Sequence, residues 1–116
     1  MEQIKDESIR KMLTELAEAL CHVYGDKLKT IVLYGSLARG TQTEDSDIDI
    51  MVLIDGNNDE LRQYDDKLND VSTDLSLKYL KVLSVADISY QEYVDWMNIS
   101  PFYKNVSEEG VVLYAA

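Results

Sequence analysis

Two aspartates one residue apart, Asp47 and Asp49, are the side chains here best suited to chemistry, together with a Gly35-Ser36 pair that ends ten residues before them. An apolar run at 31–33 stops at Gly35-Ser36, a polar loop rich in Thr, Glu and Asp follows over 40–45, and a second apolar run leads from Asp49 to Ile54. Apolar runs bounded by turn residues read as buried strands. Side chains alternate faces along a strand, so Asp47 and Asp49 project from one side, about 7 Å apart. Two bare carboxylates so placed repel, and a hard divalent cation with oxygen ligands removes the repulsion. Gly35 lets the backbone take a positive φ and approach a ligand closely. Ser36, Leu37, Ala38 and Arg39 can start a short helix whose free N–H groups attract phosphate, and Arg39 adds a cation on the same segment. These parts suit a metal-bound nucleoside triphosphate, with the turn on the phosphates and the carboxylates on the metal.

Gly35-Ser36, ten residues, then Asp47-Ile48-Asp49 resembles the signature of the polymerase-β-like nucleotidyltransferases. The filling Gly-Ser-Leu-Ala-Arg-Gly at 35–40 and Asp-Ser-Asp-Ile-Asp at 45–49 is similar to the minimal nucleotidyltransferases, and so is the ending Pro-Phe-Tyr-Lys-Asn-Val-Ser-Glu-Glu-Gly-Val-Val-Leu-Tyr at 101–114. The resemblance implies Asp47 and Asp49 as catalytic metal ligands and Gly35 and Ser36 on the nucleotide; Arg39 either neutralises phosphate charge there or makes a structural ion pair. It implies Mg²⁺ as metal and ATP as donor of a nucleoside monophosphate to a hydroxyl. It further implies a role as a type VII-like antitoxin that adenylylates a tyrosine of a HEPN-domain toxin. A third carboxylate on a later strand is also implied, as metal ligand and general base. At its place stands Ser84, while Asp87, three residues on, has the opposite strand parity. Either Asp87 substitutes or the base is missing. In the second case the chain is a catalytically weak or inactive module that binds nucleotide and partner.

Composition narrows the field. The 116 residues suffice for one domain spanning 1–116, and 46% apolar with 28% charged residues is ordinary for a globular chain. A net charge of −11 argues against direct nucleic-acid binding, which leans on Lys and Arg clusters, and fits a basic protein partner. No run approaches the roughly 20 apolar residues of a membrane span, and the polar, acidic start is unlike a signal peptide. One cysteine, Cys21, allows no internal disulfide, so a cytoplasmic setting is expected. Self-association is left open by the sequence.

The positioning elements follow from periodicity. Residues 4–25 repeat apolar positions at three- and four-residue steps, Ile9, Met12, Leu13, Leu16, Leu20, Val23 and Tyr24 among them, and predict a helix ended by Gly25. Cys21 is expected in the core on this helix, and His22, the single histidine, in a structural or surface role. Strands are expected at 27–34 and 46–54, a turn at 55–58, and a helix at 58–78 burying Leu61, Tyr64, Leu68, Val71, Leu75 and Leu77. A third strand is placed at 79–88. Ser89 with Glu92 resembles a capping box for a helix to about 98. Pro101 opens a turn or short helix that packs Phe102, Val106 and Tyr103 inward, and 111–114 make a last strand. The order predicts a small mixed α/β sheet with helices mainly on one face.

Overall fold

The computed structural model describes residues 4–41 and 46–116, so most of the polar loop expected at 40–45 lies outside the described residues. Helix α1 spans Glu7–Tyr24. It starts where the Asp6 carboxylate accepts from the N–H groups of Ser8 and Ile9, and it stops at Gly25, whose φ of 57° suits glycine. A 3₁₀ turn at Gly25–Lys27 leads into β1, Leu28–Tyr34. Helix α2, Gly35–Arg39, follows without a break. Then come β2 (Ile48–Ile54), α3 (Asn58–Arg62), α4 (Asp65–Tyr79), β3 (Leu83–Ser89), α5 (Tyr90–Trp96), α6 (Pro101–Glu109) and β4 (Val111–Ala115).

The four strands run β3-β2-β1-β4 across the sheet. β2 and β3 are parallel, and β1 pairs antiparallel with both β2 and β4. The central strands β1 and β2 are nearly continuous in apolar residues because both their faces are covered. On one face Ile31, Leu33, Ile48, Ile50, Val52 and Ile54 meet the apolar stripe of α1 and Leu68 and Leu75 of α4. On the other, Val32, Met51 and Leu53 pack on Tyr93 of α5 and Val106 of α6. Most helices therefore lie on one face, as the pattern predicts, but the second face is not bare. Asp47 and Asp49 share the parity of Met51 and Leu53, which places them on the α5–α6 side.

Several expectations need correction. The helix expected over 58–78 is two helices, broken at Gln63–Tyr64; Asn57 caps the first with a reciprocal Glu60 contact. Tyr79 closes α4 and Leu80 takes a left-handed conformation at φ 53°, so the third strand begins at Leu83, not at residue 79. The run 79–83 is apolar enough to mimic a strand, yet Leu77, Leu80 and Val82 are exposed. Cys21 is exposed as well, because it falls one position beyond Leu20 and off the buried stripe of α1. His22 faces outward, in keeping with the surface or structural role expected of it. Ser89 caps α5 by accepting from the Glu92 N–H, and Pro101 opens α6 at its first turn, where its missing N–H costs nothing. Phe102 does not sink into the core; it stays 44% exposed and sets its ring at a tilt against that of Tyr34.

Candidate active site

The site begins where β1 ends. Tyr34 lies directly across the ladder from Asp49. The next residue, Gly35, has φ +76°, and a Cβ built there would run into the Asp49 carboxylate. Both facts demand glycine: any L side chain would be strained and would collide with the acid. Gly40, at φ 75°, closes α2 by donating to the carbonyls of Ser36 and Leu37, and Thr41 donates to the Ser36 carbonyl at 3.0 Å. The short helix is thus pinned at its C-terminal end, with Leu37 buried beneath it and Ser36 half-buried at its start.

Asp49 is half-buried on β2, and Asp47 is exposed just ahead of that strand. Burial holds the Asp49 carboxyl above the usual carboxylate range, the nearby charge of Asp47 raises it further, and Arg39 opposes both. The Asp49 carboxylate is the one that meets Gly35, while Asp47 stands two residues ahead of it, just before the strand. Burial, and then the Asp49 charge, also raise the Tyr34 hydroxyl. Arg39 points its guanidinium toward Glu109 of α6, with Nη1 3.7 Å from Oε2, in a half-exposed pair of little energetic weight. A cavity of about 240 Å³ opens here, lined by Tyr34, Gly35, Arg39, Phe102, Asn105 and Glu109 among others.

Of the five residues singled out from the sequence, Gly35 and Arg39 line this cavity and Asp49 meets Gly35, while Ser36 and Asp47 are not among its lining residues. What sequence reasoning missed is the α6 wall. Phe102, Asn105 and Glu109 recur at helical spacing after Pro101, which is the signal that could have put them on one face.

The third-acid question has a geometric answer. Ser84 pairs with Asp49 in the parallel register of β2 and β3, and it is exposed. Asp87 points to the opposite face, where it accepts a hydrogen bond from the Tyr24 hydroxyl at 2.9 Å. Burial raises its carboxyl, while the Tyr24 bond partly offsets the rise. Asp87 cannot reach the Asp47–Asp49 side without reversing the strand. Among the described residues no group of three or more His, Cys, Asp and Glu converges.

The model of the nucleotidyltransferase domain family matches residues 13–113, which takes in every element from the body of α1 to β4. This chain belongs to the nucleotidyltransferase domain family. A relative from Methanocaldococcus jannaschii, named "Putative protein adenylyltransferase MJ0604", is 39% identical over 104 residues, covering 90% of this chain and 96% of that protein. A solved structure described as a toxin-antitoxin with AMP-PNP is 22% identical, with a TM-score of 0.55 over 88% of this chain and 73% of that one. A mutant of the toxin-antitoxin MntA-HpeT is 20% identical, with a TM-score of 0.59 over 90% and 73% of the two chains. These likenesses support the fold: this nucleotidyltransferase has the mixed sheet and flanking helices of its structural neighbours.

Proposed function

We propose that this nucleotidyltransferase moves AMP from ATP to a hydroxyl on a protein partner, a tyrosine of a HEPN-domain toxin, and so acts as an antitoxin in the cytoplasm. The observation that carries the reading is the contact of Gly35 with Asp49. It brings the segment suited to phosphate and the acid suited to a metal within one ligand's length. The name of the M. jannaschii relative supports adenylyl transfer, and the toxin-antitoxin neighbours support the setting.

The donor set fits Mg²⁺. Two carboxylates on one strand side, neither in an ion pair among the described residues, match a cation that takes one or two protein oxygens and completes its shell with phosphate and water. When bound, such an ion supplies charge neutralisation on the phosphates. The chain's own residues do the rest. Asp47 and Asp49 hold the ion's place, Gly35 leaves room for the phosphates, Ser36 donates its hydroxyl to a phosphate oxygen, and Arg39 can exchange Glu109 for phosphate. The acceptor oxygen forms a bond to the α-phosphorus, the bond to the β-phosphate oxygen breaks, and pyrophosphate leaves. With Ser84 in register beside Asp49, no carboxylate of β3 takes the hydroxyl proton, which passes to solvent or to the partner.

That same register favours one second reading: a nucleotide- and partner-binding antitoxin module with weak transfer or none. Labelled ATP, Mg²⁺ and the HEPN-domain partner decide between them. Label on the partner that disappears in a folded Asp47→Asn or Asp49→Asn protein is the expected result. A tight complex without label, unaltered in Asp47→Asn, favours the module.

A further inference from the structure

The wall that α6 gives to the cavity at Gly35 carries three chemistries in a row. Phe102, Asn105 and Glu109 follow one another at three- and four-residue steps, with buried Val106 between them as the floor. Phe102 brings an aromatic surface, its ring centre 5.5 Å from that of Tyr34. Asn105 brings an exposed amide, and among the described residues no hydrogen bond holds it. Glu109 brings a carboxylate and lies against Arg39 of α2. From Phe102 to Glu109 the helix rises about 10 Å. The cavity, about 240 Å³, falls short of a drug-sized pocket, so it suits one ring system rather than a whole nucleotide.

Resting on the transfer reading above, we infer that this wall receives the base of the donor nucleotide and that Asn105 is the residue that reads it as adenine. Attack on phosphorus runs in line, so the acceptor enters opposite the departing pyrophosphate. Gly35 and Arg39, the groups assigned to the phosphates, themselves line the cavity, which puts it on the donor's side of the reaction. Glu109 disfavours a further anion there and tolerates an uncharged ring. A base stacks on an aromatic face whatever its identity, so Phe102 supplies affinity without choice. Choice comes from the amide. Its carbonyl accepts from the adenine amino group while its N–H donates to a neighbouring ring nitrogen. The order along α6 also fits a nucleoside laid on it: ring and amide at Phe102 and Asn105, then Glu109 for a ribose hydroxyl once Arg39 turns to phosphate.

Asn105→Asp tests this by ratio. Aspartate keeps the shape, loses the donor and offers two acceptors, which match the two adjacent N–H groups of guanine instead. Its added charge weakens every nucleoside triphosphate alike and cancels in the ratio. Titration calorimetry in Mg²⁺ with ATP, GTP and inorganic tripolyphosphate gives the dissociation constants. The wild type should bind ATP about tenfold more tightly than GTP, and Asn105→Asp should reverse that order. Phe102→Leu should weaken ATP and GTP about tenfold each and leave tripolyphosphate within about twofold. Both side chains are exposed, so melting temperatures equal to wild type are expected of the variants. The same ATP-to-GTP ratio in Asn105→Asp as in wild type, equal weakening of tripolyphosphate and ATP by Phe102→Leu, or no ATP binding at all overturns the inference. A reversed ratio in a protein that labels no partner leaves the base site standing and defeats the transfer reading. Labelled partner with an unchanged ratio defeats the base site and leaves the transfer reading standing.

Discussion

Asp49 sits under two opposing demands. The proposed function requires it to be ionised to hold a cation, yet burial and Asp47 both favour its protonated form. A raised native value means that the folded chain holds the proton more tightly than the unfolded chain does. Ionising Asp49 therefore costs stability: the cost is absent below the ordinary carboxylate range and complete above the raised native value. Asp49→Asn is expected to melt higher than wild type at neutral pH, with the gap closing in acid, while losing nucleotidyl transfer. Thermal melts at the two pH values check the first part, and label transfer checks the second. Transfer itself should rise with pH through the raised Asp49 value, and saturating Mg²⁺ should move that rise to lower pH. Gly35 makes a separate prediction. Gly35→Ala places a methyl group against the Asp49 carboxylate at a positive φ, so a loss of about 1–3 kcal/mol in urea unfolding is expected together with loss of transfer. A Gly40→Ala control shares the positive φ but meets nothing within 4 Å, so it should carry only the backbone part of that cost.

At the scale of elements, one side-chain bond ties α1 to the edge strand β3. Tyr24, from the last turn of α1, is almost fully buried and reaches across to donate to Asp87 on β3, with its ring against Tyr64. Burial and the Asp87 bond push its hydroxyl far above the ordinary tyrosine range, so the contribution of this group is present at neutral pH and is lost only in strong alkali. Tyr24→Phe keeps the ring and removes the donor, leaving a half-buried carboxylate without its bond. A loss of about 1–3 kcal/mol in chemical denaturation is expected, with ATP affinity unchanged under native conditions. A fall in ATP affinity would mean that the α1 face is coupled to the nucleotide more closely than its distance suggests.

Across the whole molecule, charge is the dominant feature. Twenty-two acids against eleven bases leave the fold repelling itself, with four ion pairs among the described residues, all of them on the surface. Moderate NaCl should raise the melting temperature by a few degrees, equivalent to about 1 kcal/mol, through screening. The same salt should weaken association with a basic partner. A melting temperature that is flat in salt would show that the acids are spread widely enough not to oppose folding.

How far residues could be read without coordinates depended on how local their signal was. The helix of α1, the paired central strands and the common side of Asp47 and Asp49 all follow from periods of 3.6 and 2, which belong to the backbone and need no neighbour. Gly35-Ser36 was legible for the same reason: a turn residue between two apolar runs has few other uses. Cys21, Leu77 and the stretch 79–82 were misread because an apolar or small side chain at the rim of a stripe can face either way, and the packing partner settles it. The fate of Asp87 and the pairing of Ser84 with Asp49 needed the register of two strands nearly thirty residues apart in the chain, a property of their hydrogen-bond ladder and of no short segment. The α6 wall of the cavity likewise exists because a helix late in the chain folds back over the end of β1. Local order was written in the spacing of side chains; which carboxylate meets which backbone was left to long-range packing, since only closure of the sheet brings those atoms together.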